Sequence, residues 1–189
     1  VLGVSCAAFA AAAFLGVDSL IVMGGMLTVG LAYSLCLRRV VGVAQLSISL
    51  LFTVPIAYGA MTGEALRIEH WMAAALVAVF VFARETIKCY PDRSGDLAVG
   101  YTTLATRYGK AGVLVVFRVT AGVLILVALA TAWIVGTIQY SLASLLCVIV
   151  PTLIIVRYLH GDPDVERIQK ATARFGVLFA IGLVPLFLM

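Results

Sequence analysis

Charge is scarce in this 189-residue chain. Asp, Glu, Lys and Arg together make 12% of it, against 63% hydrophobic residues. Soluble domains carry about 25% charged and about 45–50% apolar residues. That deficit excludes an ordinary soluble protein and a disordered one. The basic excess is also small, a net +4, which argues against a nucleic-acid partner. Cysteine is sparse and unclustered: Cys6, Cys36, Cys89 and Cys147 include no CxxC pair. A zinc site or disulfide framework is therefore not expected, and Cys6, Cys36 and Cys147 read as small buried hydrophobes. The glycine spacing of a phosphate-binding loop is missing before Gly109-Lys110. No basic stretch precedes the apolar start at Val1, so the N-terminus is not a standard signal peptide. The chain begins inside a hydrophobic run, which reads as a sign of something missing upstream.

What the sequence has instead is long apolar runs. A membrane helix needs about 20 mostly apolar residues. Seven runs read as spans: Val1–Gly16, short because it starts at the chain end; Val17–Leu37; Val43–Met61; Trp71–Ala83, which continues into Arg84 with polar last turns; Val113–Gly136; Tyr140–Tyr158; and Ala173–Met189. The expected fold is an all-α polytopic transmembrane bundle. Lys and Arg concentrate in cytoplasmic loops of such proteins. With the first run starting in the cytoplasm, Arg38, Arg39, Arg84, Lys88, Arg93, Arg107, Lys110, Arg157, Arg167, Lys170 and Arg174 fall on that side. The far side holds Arg67, and Arg118 lies inside the fifth run. Glu85, Asp92, Asp96, Asp162, Asp164 and Glu166 join the basic side, so polar chemistry is expected at the cytoplasmic face of an inner or plasma membrane.

One segment stands apart. Between residues 84 and 110, Arg84, Lys88, Asp92 and Asp96 recur at intervals of four. Residues four apart share a helix face, so Asp92 and Asp96 can present paired carboxylates to a hard cation such as Mg²⁺, which fills its shell with water and phosphate. Arg84 and Lys88 can contact phosphate oxygens. The competing reading is a solvated helix boundary, where charged side chains snorkel. Pro91 disfavours helical geometry at Tyr90, so the run is expected to end or kink there.

These residues resemble the second aspartate-rich motif of the UbiA-type intramembrane prenyltransferases, roughly R-E-x-x-K-D-x-x-D-x-x-G-D-x-x-x-G-x-x-T-L. Here it reads Arg84-Glu85, Lys88, Asp92, Gly95-Asp96, Gly100 and Thr103-Leu104. Tyr33-Ser34 with Arg38-Arg39 is similar to the family's Tyr-Ser and basic pair at the end of an earlier span. The look is closest to the geranylgeranylglycerol-phosphate geranylgeranyltransferase-like branch. Two residues depart from the pattern: Cys89 stands where many members carry Asp, and Pro91 is unusual there. The family's first motif, N-D-x-x-D, does not occur. Members have nine spans, with the second motif after the sixth. Here it follows the fourth run, so the resemblance covers a single domain over residues 1–189, aligned to spans three to nine. It implies that two spans and half of a metal site are missing or lie on a separate N-terminal segment, and that this chain alone has little activity.

The resemblance further implies transfer of an isoprenoid chain from a polyprenyl diphosphate to a small lipid or aromatic acceptor, with Mg²⁺ as cofactor. Asp92 and Asp96 would hold the metal. Lys88, Arg84, Arg38 and Arg39 would contact the diphosphate, although Arg84 can instead pair with Glu85 and Arg38-Arg39 can serve topology alone. Phe80, Phe82 and Phe117 either line an isoprenoid path or simply pack. Tyr101, Thr102 and Thr103 either meet an acceptor or cap the next turn. Arg118 reaches the diphosphate or snorkels to the interface. Asp162-Pro-Asp164 is ordinary turn chemistry with a metal-like look, and His160 an interface residue. The other readings are a membrane transporter or structural subunit, and an inactive prenyltransferase fragment. Charges gathered at one interface rather than at midplane favour catalysis over transport. A CDP-alcohol phosphotransferase shares the DxxxD but needs an upstream Asp-Gly and Ala-Arg pair that is not found.

Overall fold

The computed structural model describes residues 10–62 and 67–188, and among them every regular element is helical. Six helical segments are long and apolar enough to cross a membrane. They comprise α1 (Val17–Leu35), α2 (Val43–Thr62), α3 (Ile68–Lys88), α5 (Leu104–Val135), α6 (Ile138–Tyr158) and the last, which joins α7 (Val165–Gly182) to a 3₁₀ turn, Val184–Leu188. A short helix, α4 (Arg93–Ala98), lies between α3 and α5. Of the expected run Val1–Gly16, residues 10–15 are helical and the first nine lie outside the described residues, as does Cys6.

Helix ends follow local chemistry. α5 starts where Thr103 Oγ1 accepts from the Thr106 N–H at 3.3 Å while Thr106 Oγ1 accepts from the Thr103 N–H at 2.8 Å. This is a reciprocal cap. Gly109 then takes φ 64° and kinks the helix, a conformation that suits a residue without Cβ. At about 48 Å for 32 residues, α5 outruns a hydrocarbon core of about 30 Å. Its first turns therefore extend past the apolar run expected from Val113. α6 contains a widened turn over Leu145–Ile149 immediately before Pro151. A proline has no N–H to give the preceding turn, and such a turn accommodates it. α7 starts at Val165 behind its cap Asp164, whose Oδ1 accepts from the Arg167 N–H at 2.7 Å. It thus begins eight residues before the apolar run read from Ala173, because polar interfacial turns remain helical.

The core lies where α3 and α5 pack with α6 and α7. Phe80, Ala83 and Ile87 of α3 meet Phe117, Ala121 and Leu124 of α5, together with Phe175 of α7. The Phe80 and Phe175 rings stack at 4.5 Å, and Phe117 sets its edge on Phe175 at 5.7 Å. Phe80 and Phe117 are thus packing residues. The outer surface is apolar: Trp133 is 87% exposed and Phe187 88%, which suits lipid contact.

Candidate active site

The site is built where α3 stops. Beyond Lys88 the chain turns through Cys89 and Tyr90, and Pro91 starts no new backbone bond of its own. The helical spacing nevertheless survives the break. The Asp92 N–H reaches Lys88 O at 3.4 Å, and the Asp96 N–H reaches Asp92 O at 3.0 Å. Asp92 therefore begins α4, and Asp96 lies one turn on. The Tyr101 N–H then returns to Asp96 O at 2.8 Å and closes the connection toward α5.

This geometry puts both carboxylates on one hollow of about 150 Å³, together with Arg38, Gln45, Glu85 and Lys88. A second hollow beside it also has Arg38, Asp92 and Asp96 on its wall, so these three side chains stand between the two. The Asp96 side chain is 6% exposed and the Arg38 side chain 47%, with Nη2 to Oδ1 at 3.4 Å. Lys88 Nζ lies 3.9 Å from Glu85 Oε2 and 3.8 Å from Asp92 Oδ2. The Arg38 and Arg39 guanidiniums sit 5.5 and 5.4 Å from the centre of the Tyr101 ring, within cation–π range. That contact ties the turn after α1 to the connection after α4.

The expected site residues are not all brought together. Asp92, Asp96, Lys88 and Arg38 share the hollow. Arg39 is not on its wall and rests on Tyr101. Arg84 pairs with Glu85 and lines a different, largely apolar cavity with Phe52, Gly176 and Phe179. A Cβ at Gly176 would stand 3.4 Å from Arg84 Nε, so the glycine leaves room for the guanidinium. Arg118 does not reach the hollow either: its Nη2 donates to Leu159 O at 3.3 Å. Asp162 pairs with Lys110, and Asp164 caps α7. Both belong to turn structure, whereas Thr103 caps α5 and also lines the hollow.

Tyr33, part of the Tyr-Ser match read from the sequence, lines the hollow from α1. One feature escaped the sequence. Gln45 lines it from the first turn of α2, 5% exposed, and its Oε1 is buried without a hydrogen-bond partner. A lone amide opening the apolar run at Val43 was the available signal, because polar groups in such runs mark internal cavities. Cys89 is buried in the wall of the hollow and donates from Sγ to Thr86 O at 2.9 Å. Burial pushes its thiol up to about 12, which favours the neutral form over the thiolate.

Among the described residues, no group of three or more His, Cys, Asp or Glu side chains forms a closed cage for a metal. The hollow instead offers the oxygens of Asp92 and Asp96, with cations beside them. Such a donor set suits a hard divalent ion that takes one or two carboxylates and completes its shell with water and phosphate. Lys88 and Arg38 add two donors that are half exposed, and so open to an incoming anion.

A sequence model of the UbiA prenyltransferase family matches residues 1–183. No curated protein and no solved structure matches the chain.

Proposed function

From the premise that the chain belongs to the UbiA prenyltransferase family, we propose that this integral membrane protein transfers an isoprenoid chain from a polyprenyl diphosphate to a lipid or aromatic acceptor, with Mg²⁺. The acceptor class closest in motif is a glycerol-phosphate lipid. The observation that carries the reading is the hollow on which Asp92, Asp96, Lys88 and Arg38 converge.

The reaction breaks the allylic C–O bond, and negative charge develops on the leaving diphosphate. Asp92 and Asp96 would hold Mg²⁺, which when bound stabilises that charge. Lys88 and Arg38 bind the diphosphate oxygens directly and hold them at fixed positions. Arg38 also orients the buried Asp96 carboxylate. Ala44 and Ile48 supply the apolar side of the hollow, where exclusion of water protects an electron-poor allylic carbon. The unpartnered Gln45 Oε1 accepts a hydrogen bond from an acceptor hydroxyl and holds its oxygen toward that carbon; the new C–O bond forms there as the diphosphate leaves, and the hydroxyl proton passes to the departing diphosphate. Arg39 anchors the loop through Tyr101, and Arg84 holds α3 against α7. The active end is assigned to the cytoplasmic side, because it carries the basic residues.

The test is transfer of label from geranylgeranyl diphosphate into apolar product by membranes containing the protein, with a panel of glycerol-phosphate, hydroxybenzoate and naphthoate acceptors. Asp92→Asn and Asp96→Asn are each expected to abolish Mg²⁺-dependent product. Undiminished turnover in both variants sinks the proposal.

A further inference from the structure

A separate hollow with a basic rim lies at the same end of the bundle and shares no residue with the two at the active site. It has a volume of about 1010 Å³ and is lined by Arg118, Leu153, Val156, Arg157, His160 and Arg167. Three helices contribute: Arg118 comes from α5, Leu153, Val156 and Arg157 from α6, and Arg167 from the first turn of α7. The Lys110 Nζ contact to Pro163 O at 3.3 Å places the start of α5 against the α6–α7 loop. The hollow is therefore interfacial.

Its charge is unbalanced. No carboxylate lines it, and among the described residues none of its three arginines forms an ion pair. The acids of the adjoining loop are engaged elsewhere. Asp162 pairs with Lys110, Glu166 with Lys170, and Asp164 caps the backbone of α7. Two of the three arginines, Arg118 and Arg167, are also held in place. Arg118 Nη2 is fixed on Leu159 O at 3.3 Å. The Arg167 guanidinium lies 4.8 Å from the Tyr158 ring centre, with Arg174 on the same ring at 4.7 Å. Below the cations, Leu153 is 51% exposed and its neighbour Ile154 59%, so the apolar wall opens outward along α6.

We infer that this hollow binds the phosphate headgroup of an anionic membrane lipid, with an acyl chain running along Leu153. Three guanidiniums without carboxylate partners, two of them held in place, favour an anion, and guanidinium matches phosphate in geometry. The exposed apolar wall selects an anion that carries a hydrocarbon chain, and basic interfacial pockets recognise lipid headgroups by this chemistry. The inference is independent of the proposed prenyl transfer.

The experiment measures thermal unfolding and native mass spectra of the purified protein in mild detergent. The ligands are phosphatidylglycerol, phosphatidylcholine with the same chains, and inorganic phosphate. Phosphatidylglycerol is expected to raise the unfolding temperature and to stay bound, while the other two do neither. Arg157→Gln/Arg167→Gln, which leaves the Arg118 contact intact, should weaken phosphatidylglycerol about 30-fold at roughly tenfold or less per arginine. Arg157→Gln alone should weaken it several-fold. Lys170→Gln, which removes one charge from α7 outside the hollow, should not weaken it. Equal stabilisation by phosphatidylcholine, equal stabilisation by inorganic phosphate, or full phosphatidylglycerol binding by a folded double variant would each overturn the inference. The melting temperature without lipid reports whether that variant is folded.

Discussion

Removing either partner of the Arg38–Asp96 pair should have unequal consequences, because the partners are unequally buried. The Asp96 side chain is 6% exposed and the Arg38 side chain 47%. In Asp96→Asn the guanidinium left behind already meets water, so the loss resembles that of an exposed pair, about 0–1 kcal/mol. In Arg38→Gln a buried carboxylate loses its cation. Leaving a buried charged group unpaired costs more, about 2 kcal/mol for this half-open site, below the 3–5 kcal/mol of a fully buried pair. Arg38 also leaves the Tyr101 ring, but Arg39 stays on it at 5.4 Å, so that contribution is minor. For a chain of this size about 1 kcal/mol moves Tm by about 2–4 °C. The expected losses are then about 4–8 °C for Arg38→Gln and at most about 4 °C for Asp96→Asn. The double variant should return close to Asp96→Asn, because the orphaned charge is gone. Thermal unfolding of the detergent-solubilised protein, with EDTA present, reads this directly. Adding Mg²⁺ should then stabilise Arg38→Gln more than the parent, because a cation replaces the lost one. Equal losses in the two single variants, or a double variant no better than Arg38→Gln, would refute the electrostatic reasoning.

Three further expectations follow from other parts of the molecule. Lys88→Gln should weaken diphosphate binding about tenfold or more with little change in Tm, since Lys88 is 46% exposed; a large fall in Tm with binding intact would assign it a structural role instead. Phe175→Ala should cost about 3–5 kcal/mol, because its 0%-exposed ring joins Phe80 to Phe117; a shift under about 1 kcal/mol in unfolding would contradict that packing. In a variant keeping Cys89 as the sole cysteine, maleimide labelling at pH 8 should be about ten thousandfold below that of a fully ionised thiol, given a thiol held at about 12. The buried neutral form is favoured, so the stability linked to Cys89 is intact below the ordinary thiol range and falls as pH rises toward 12. Rapid labelling of the folded protein at pH 8 would show the thiol to be exposed.

The long features of the fold were legible because a hydrocarbon solvent imposes them. Apolar runs of the right length became α1, α2, α3, α5, α6 and the last span, and Pro91 ended α3 as its chemistry requires. Run ends were less legible. Hydropathy registers where lipid begins, whereas α5 and α7 continue as helices through interfacial turns capped by Thr103 and Asp164. In the site, the spacing of Asp92 and Asp96 carried through because the backbone bonds around Pro91 preserve one helical turn. The directions of the cations were not legible. Arg84 lies one turn before Lys88 in sequence, but α3 packs on α7 there, and Gly176 opens a place for the guanidinium away from Asp92. Gln45 joined the hollow only through the packing of α2 on α3, a tertiary contact with no local signature beyond one amide in an apolar run.

The central claim is that Asp92 and Asp96 jointly hold a divalent cation and, through it and the adjacent Lys88 and Arg38, a prenyl diphosphate. The most direct measurement is equilibrium binding of geranylgeranyl thiodiphosphate, an unreactive analogue, to the purified protein with Mg²⁺ and with EDTA. The account predicts binding that EDTA removes and that Asp92→Asn and Asp96→Asn each weaken about tenfold or more, in variants whose unfolding shows them to be folded. Binding of equal strength with EDTA, or unchanged in both variants, would contradict it.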